Sequence, residues 1–183
     1  FPCIIATVTF GSEVSPEVQF LRDFRDRLVL STRAGSAFMS VFNMWYYSFS
    51  PQVADFIASH DSIRSPVRIG LYPLIGVLEL SSATYSALAF SPEFAVIVAG
   101  MLASTVIGLV YLTPIFFWIP LRKRIYSRTL LKPCAVSCLA ALASVVLGEL
   151  TGSLGLLAVA ASALVLTTVV SAPLLFSFAL MGI

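Results

Sequence analysis

Residues 94–120 carry no charged side chain, and this one feature limits the chain's folds more than any other. As a helix the run rises roughly 40 Å at 1.5 Å per residue, more than the roughly 30 Å of a bilayer's hydrocarbon core. Two further uncharged runs follow, 133–148 and 151–183. Charged residues make up only 11% of the chain and apolar ones 58%, far from the roughly 25% charge of a soluble domain. The expected fold is all-α: an integral membrane protein with three transmembrane helices from residue 94 onward.

Between the last two runs lies Leu150-Thr151-Gly152-Ser153-Leu154-Gly155, short and glycine-bearing, which suits a tight turn between antiparallel helices. Between the first two lie Arg122, Lys123, Arg124, Arg128 and Lys132, five of the chain's eleven basic residues. The positive-inside rule puts that basic loop, 122–132, in the cytoplasm. Glu93 and Glu149 then face outward, and the C-terminus returns to the cytoplasmic side of the cell membrane.

Residues 67–90 are a marginal fourth span. Only 69–80 is strongly apolar, and Pro73 and Glu79 interrupt it. A charge at the centre of a span costs roughly 2.5–3.5 kcal/mol on the insertion scale, which a weakly apolar helix offsets poorly. If the segment spans, the N-terminal part is cytoplasmic, in agreement with Arg64 and Arg68 at its mouth; if it lies in the interface or re-enters, that part is outside.

The boundary between the two regions is placed at 66/67, with 1–66 read as short amphipathic interfacial helices. Ser15-Pro16-Glu17 is a helix start: a capping hydroxyl, a proline whose missing N–H is harmless there, and a carboxylate near the positive helix end. Val18, Leu21, Phe24 and Leu28 then share one face, with Arg22, Asp23, Arg25, Asp26 and Arg27 around it. Gly35 reads as a break, 36–47 as a second helix, Ser50-Pro51 as the start of a third ending near His60, and Ser65-Pro66 as the start of the marginal segment. Phe38, Phe42, Trp45 and Tyr46 are too dense in aromatics for so short a region to bury, and are expected to dock on the membrane surface or on partner subunits.

Candidate chemistry is sparse. Cys134 and Cys138 sit one helical turn apart and could present two thiolates to a metal, although two ligands make no site and packing is the simpler role. Cys3 has no flanking base, and His60 sits beside Asp61 at a helix end. Glu79, ionisable within a membrane segment, is either an ion- or proton-handling group or a snorkelling interfacial residue. Gly100, Ser104 and Gly108, four apart, permit close helix contact. No catalytic triad, phosphate loop, HExxH or paired carboxylates are present, so neither a catalytic residue nor a cofactor is expected. A net charge of +2 without basic clusters interleaved with aromatics argues against nucleic acid as a partner. Phe1 in place of methionine suggests a processed product or part of a longer chain.

Cys3-Ile4-Ile5-Ala6-Thr7-Val8-Thr9-Phe10-Gly11-Ser12 resembles the CFI box, a C-F-I-A-T-A-A-Y-G-S signature. The resemblance continues through Pro16-Glu17-Val18-Gln19, Ala34-Gly35-Ser36-Ala37-Phe38 and Tyr46-Tyr47-Ser48-Phe49-Ser50-Pro51, over about the first third of the chain. Ile4, Val8-Thr9 and Phe10 depart from the pattern. The family implies a membrane-proximal module of exported proteins in an archaeal membrane. The stretch from Phe38-Met39 to Tyr46-Tyr47 looks like variants from ammonia-oxidising archaea, which implies an accessory subunit of the copper-dependent ammonia monooxygenase.

Together these readings predict a non-catalytic membrane subunit, in contact with the lipid bilayer and with other membrane subunits in a hetero-oligomer. Two alternatives stand beside it: a membrane anchor or sorting tail of an exported protein, and a small proton-coupled transporter or channel using Glu79.

Overall fold

The computed structural model describes residues 2–118 and 128–181, and among them every regular element is helical. In chain order these are α1 (Ile4–Phe10), α2 (Pro16–Asp23) running on into a π-helical stretch (Phe24–Val29), α3 (Arg33–Ser59) and α4 (Asp61–Ala87). Then come α5 (Pro92–Ile107), a second π-helical stretch (Gly108–Leu112), α6 (Thr113–Trp118), α7 (Arg128–Thr151) and α8 (Leu154–Met181). Among the described residues three helices are long and apolar enough to cross a membrane: Pro92–Ile115, Pro133–Thr151 and Leu154–Phe176. The chain is therefore a multi-pass, all-helical membrane protein. The basic residues Arg122, Lys123 and Arg124 lie outside the described residues.

The turn between α7 and α8 forms where its glycines predict it. Gly152 takes φ +68°, a left-handed conformation open to glycine at no steric cost. Packing at this end is tight: a β-carbon on Gly148 would come within 3.0 Å of the Leu157 side chain. Leu157 and Val145 then join Ala37, Ala141, Ala160 and Leu164 in one buried cluster where α3, α7 and α8 meet. Ile97 and Met101 of α5 pack against its edge. Ala37, Ala141 and Ala160, one from each of α3, α7 and α8, let these helices approach closely where lipid offers no hydrophobic drive for association.

Two features of the N-terminal region differ from the sequence-based expectation. First, residues 33–59 form one helix, not a break at Gly35 followed by two short helices. Gly35 lies in the first turn of α3, packed so closely on the preceding chain that a β-carbon would overlap the Val29 carbonyl. Pro51 sits inside α3 with its ring on the exposed face, while Ser50, Ala54 and Ile57 continue the buried face past it. Burial on one side holds the helix together although Pro51 cannot donate to the Tyr47 carbonyl.

Second, Ser65-Pro66 does not start a helix: α4 already begins at Asp61 and runs unbroken through Pro66 and Pro73. At 27 residues it is long enough to cross a bilayer, about 40 Å, but is not among the three helices that are also apolar enough. It lies antiparallel along α5, held by two polar contacts. The Ser81 hydroxyl donates to the Ala99 carbonyl at 3.1 Å, and the Tyr111 hydroxyl to the Gly70 carbonyl at 2.5 Å. The middle of α4 is thus level with residues 99–111, well inside the span Pro92–Ile115.

Gly108 marks the closest helix contact. Pro173 has no N–H to offer Val169, four residues earlier in α8, so that carbonyl is free of its intrahelical bond. It points at Gly108, where any β-carbon would overlap it and press on the Pro173 ring. Ser104, one turn earlier, is buried in the same face and back-bonds to the Gly100 carbonyl at 2.7 Å. Gly100 itself has open space around it.

Candidate functional site

One end of the bundle is closed by a long-range cap. Thr32 accepts the Gly35 N–H on its hydroxyl at 3.1 Å, leaving the amides of Arg33 and Ala34 to be satisfied. Both donate to the Glu93 carboxylate, at 2.6 and 3.2 Å. The same Arg33 extends its guanidinium to within 4.0 Å of Glu149 at the end of α7. Glu93, in the first turn of α5, therefore caps α3 from sixty residues away. Replacing it with leucine should cost about 1–2 kcal/mol, as for other helix caps, and glutamine, which keeps one acceptor, should cost less. The unfolding midpoint of the detergent-solubilised protein reports the difference.

The aromatic residues divide between two roles. Phe38, Phe42 and Tyr46 form a ladder on one face of α3, with ring centroids 5.8 and 5.7 Å apart and planes near parallel. All three are half-buried. The ladder ends on α1: the Tyr46 hydroxyl accepts the Ile5 N–H at 3.1 Å, and the neighbouring Tyr47 hydroxyl donates to the Pro2 carbonyl at 2.9 Å. Trp45, 61% exposed, faces outward with Met44.

α1 is held at its other end by α4. Arg68 donates to the Thr9 carbonyl at 3.1 Å and lies 5.5 Å from the Phe10 ring centroid, while Phe10 meets Tyr72 edge-on. Arg68 and Tyr72 flank Gly70, which is level with Tyr111, so the C-terminal end of α1 lies level with the Ile115 end of the first apolar span. Cys3 precedes it, and burial pushes its thiol above the ordinary range despite nearby Arg25 and Arg22.

The alternating charges of α2 and its π-helical continuation pair locally. Arg22 reaches Glu13 at 3.2 Å, Arg25 forks onto Asp26 at 2.7 and 3.0 Å, and Arg27 meets Asp23 at 3.3 Å. The Arg25 hydrogen bonds hold the Asp26 carboxyl below its usual value.

Of the metal candidates, Cys138 lies 3.7 Å from the Ser171 hydroxyl and Cys134 is half-buried beside it on α7. Among the described residues no three His, Cys, Asp or Glu side chains converge as a metal site would require. His60 turns its Nδ1 to the Phe56 carbonyl at 3.0 Å and lies tilted against the Phe56 ring, centroids 4.5 Å apart.

Glu79 is exposed on the outward face of α4, while Ile75, Val77 and Ser81 are the residues that face inward. It has no hydrogen-bond or ion-pair partner among the described residues. Interpolating between the Gly70–Tyr111 and Ser81–Ala99 contacts places it beside Met101, about one helical turn from the middle of the first apolar span.

The bundle's two sides differ in kind. Between Pro133 and Phe176 no exposed residue is charged, and the outward face is made of side chains such as Val136, Leu139, Val159 and Leu166. From residue 2 to the end of α4, by contrast, Glu13, Asp23, Asp26, Arg27, Asp55 and Glu79 are all exposed. Sequence patterning shows both compositions, but only the packing of α4 along α5 reveals that Glu79 lies at the depth of the first apolar span.

No family model, curated protein or solved structure matches this chain.

Proposed function

We propose that this chain is a non-catalytic membrane subunit that scaffolds or stabilises a multi-subunit complex, its α7–α8 side against lipid and its α1–α4 side against other subunits. One observation carries the reading: Glu79 is exposed at the depth of an apolar span on the α4 side of the bundle, whereas no exposed residue between Pro133 and Phe176 is charged. An exposed charge at that depth is costly in hydrocarbon, and pairing with protein relieves the cost. The α7–α8 side has the composition of a lipid-facing surface.

In this reading the end holding Glu93, Arg33 and Glu149 faces outward and the loop containing Arg122, Lys123 and Arg124 is cytoplasmic, in keeping with the positive-inside rule. α3 then descends from the outer side and α4 returns to it. The likeness of residues 3–12 to the CFI box supports an archaeal membrane, and the likeness of the stretch from Phe38-Met39 to Tyr46-Tyr47 to variants of ammonia-oxidising archaea makes an accessory subunit of the copper-dependent ammonia monooxygenase the specific reading.

The test is purification from native membrane in mild detergent. The expected result is a fixed stoichiometric set of integral membrane partners. Recovery of the chain alone, still folded, would overturn the proposal.

A further inference from the structure

We infer that the outward face of α4 docks a transmembrane helix of a different chain, and that this helix presents a lysine or arginine to Glu79. The inference rests on the subunit reading above and adds the chemistry of the partner.

The face itself is continuous. Ile69, Tyr72, Gly76, Glu79, Leu80 and Ala83 are all exposed, at the three- and four-residue spacing of one helical stripe. Apart from Glu79 and the hydroxyl of Tyr72, whose ring also meets Phe10 at the edge of the stripe, it is apolar or small, and space stands open around Gly76, so nothing within this chain requires a glycine there. A helix laid on this stripe can approach closely at Gly76 and Ala83. That alone would name no occupant; the carboxylate does.

Glu79 lies about one helical turn from the middle of a span, with no partner among the described residues. Lipid supplies no close counter-charge there, because headgroup ammonium groups lie roughly 10 Å away at the nearer edge of a 30 Å core. Its own chain does not supply one on this face either. The nearest arginine along α4, Arg68, is eleven residues away and is already held by the Thr9 carbonyl and the Phe10 ring. A second copy is no better an occupant. Copies inserted in one orientation put Glu79 at one depth, so pairing two such faces brings carboxylate to carboxylate. The complementary occupant is a helix of another chain with a basic side chain at mid-depth, paired as buried membrane charges are.

The experiment uses the full chain purified from native membrane, as wild type, Glu79→Leu and Glu79→Lys, with a photo-reactive residue placed at Ala83 in parallel. Glu79→Leu should lower recovery of one partner about tenfold or more, since it leaves a basic side chain uncompensated in the membrane. The isolated variant should melt as the wild type does, because Glu79 touches nothing that holds this chain together. The cross-link from Ala83 should fall on a transmembrane segment of that partner containing a lysine or arginine. Changing that residue to glutamate should restore the partner to Glu79→Lys.

Wild-type chain recovered alone would end the subunit reading and this inference with it. Partners recovered equally with wild type and Glu79→Leu would overturn this inference only. So would a cross-link confined to lipid, to a second copy, or to a helix without a basic residue.

Discussion

Gly108→Val is expected to be among the most damaging single substitutions in the bundle, lowering stability by about 3 kcal/mol. Overpacking costs least where the obstructing atom is the tip of a flexible side chain. Here the obstruction is the Val169 backbone carbonyl, backed by the Pro173 ring, so relief requires α5 and α8 to move apart. Separation would also withdraw α5 from the edge of the cluster around Leu157. Gly100→Ala is the matched control. It meets open space, replaces glycine by a better helix former, and should leave stability unchanged or raise it by up to about 1 kcal/mol. Equilibrium unfolding in mixed micelles distinguishes the two, and equal effects would show that the close approach at Gly108 contributes nothing.

Leu157→Ala should follow, with a loss of about 2–5 kcal/mol. Leu157 is 0% exposed and fills the space Gly148 leaves open, in the cluster that joins α3 to the apolar helices. In a membrane the truncated side chain forfeits packing rather than shelter from water, which points to the lower half of that range. Leu150→Ala, at a site 80% exposed on the apolar side, should change the same midpoint by less than about 0.5 kcal/mol. A Leu157→Ala variant as stable as Leu150→Ala would show that the α3–α7–α8 cluster does not hold the bundle together.

The three apolar spans and the turn at Gly152 were legible because each depends on local composition: a long uncharged run, or a glycine that can take positive φ. The start of α2 was legible for the same reason, although Ser15 uses its hydroxyl on the Ser12 carbonyl and not on a helix amide. α3 was not legible as one helix. Gly35 and Pro51 are locally breakers, and what overrides them is a face buried chiefly against α8, far along the chain, and against α1. Gly108 stood out as a small residue on a helix face, but its necessity depends on Pro173 releasing a carbonyl on another helix. Glu93 reads as an ordinary first-turn acid, and nothing near it points to the amides at residue 33. Glu79 was legible as an ionisable residue in a marginal span; that it faces away from its own bundle is a fact of packing.

The acid that closes the top of α3 has a consequence for how the protein is made. A ribosome adding about 5–20 residues per second delivers Glu93 roughly 3–12 s after Arg33 has been joined to the chain. Until then the amides of Arg33 and Ala34 lack their carboxylate, and Thr32 alone closes the helix end. The N-terminal end of α3 is thus fully capped only after α5 has been made, so the last step in closing the first long helix waits on the third.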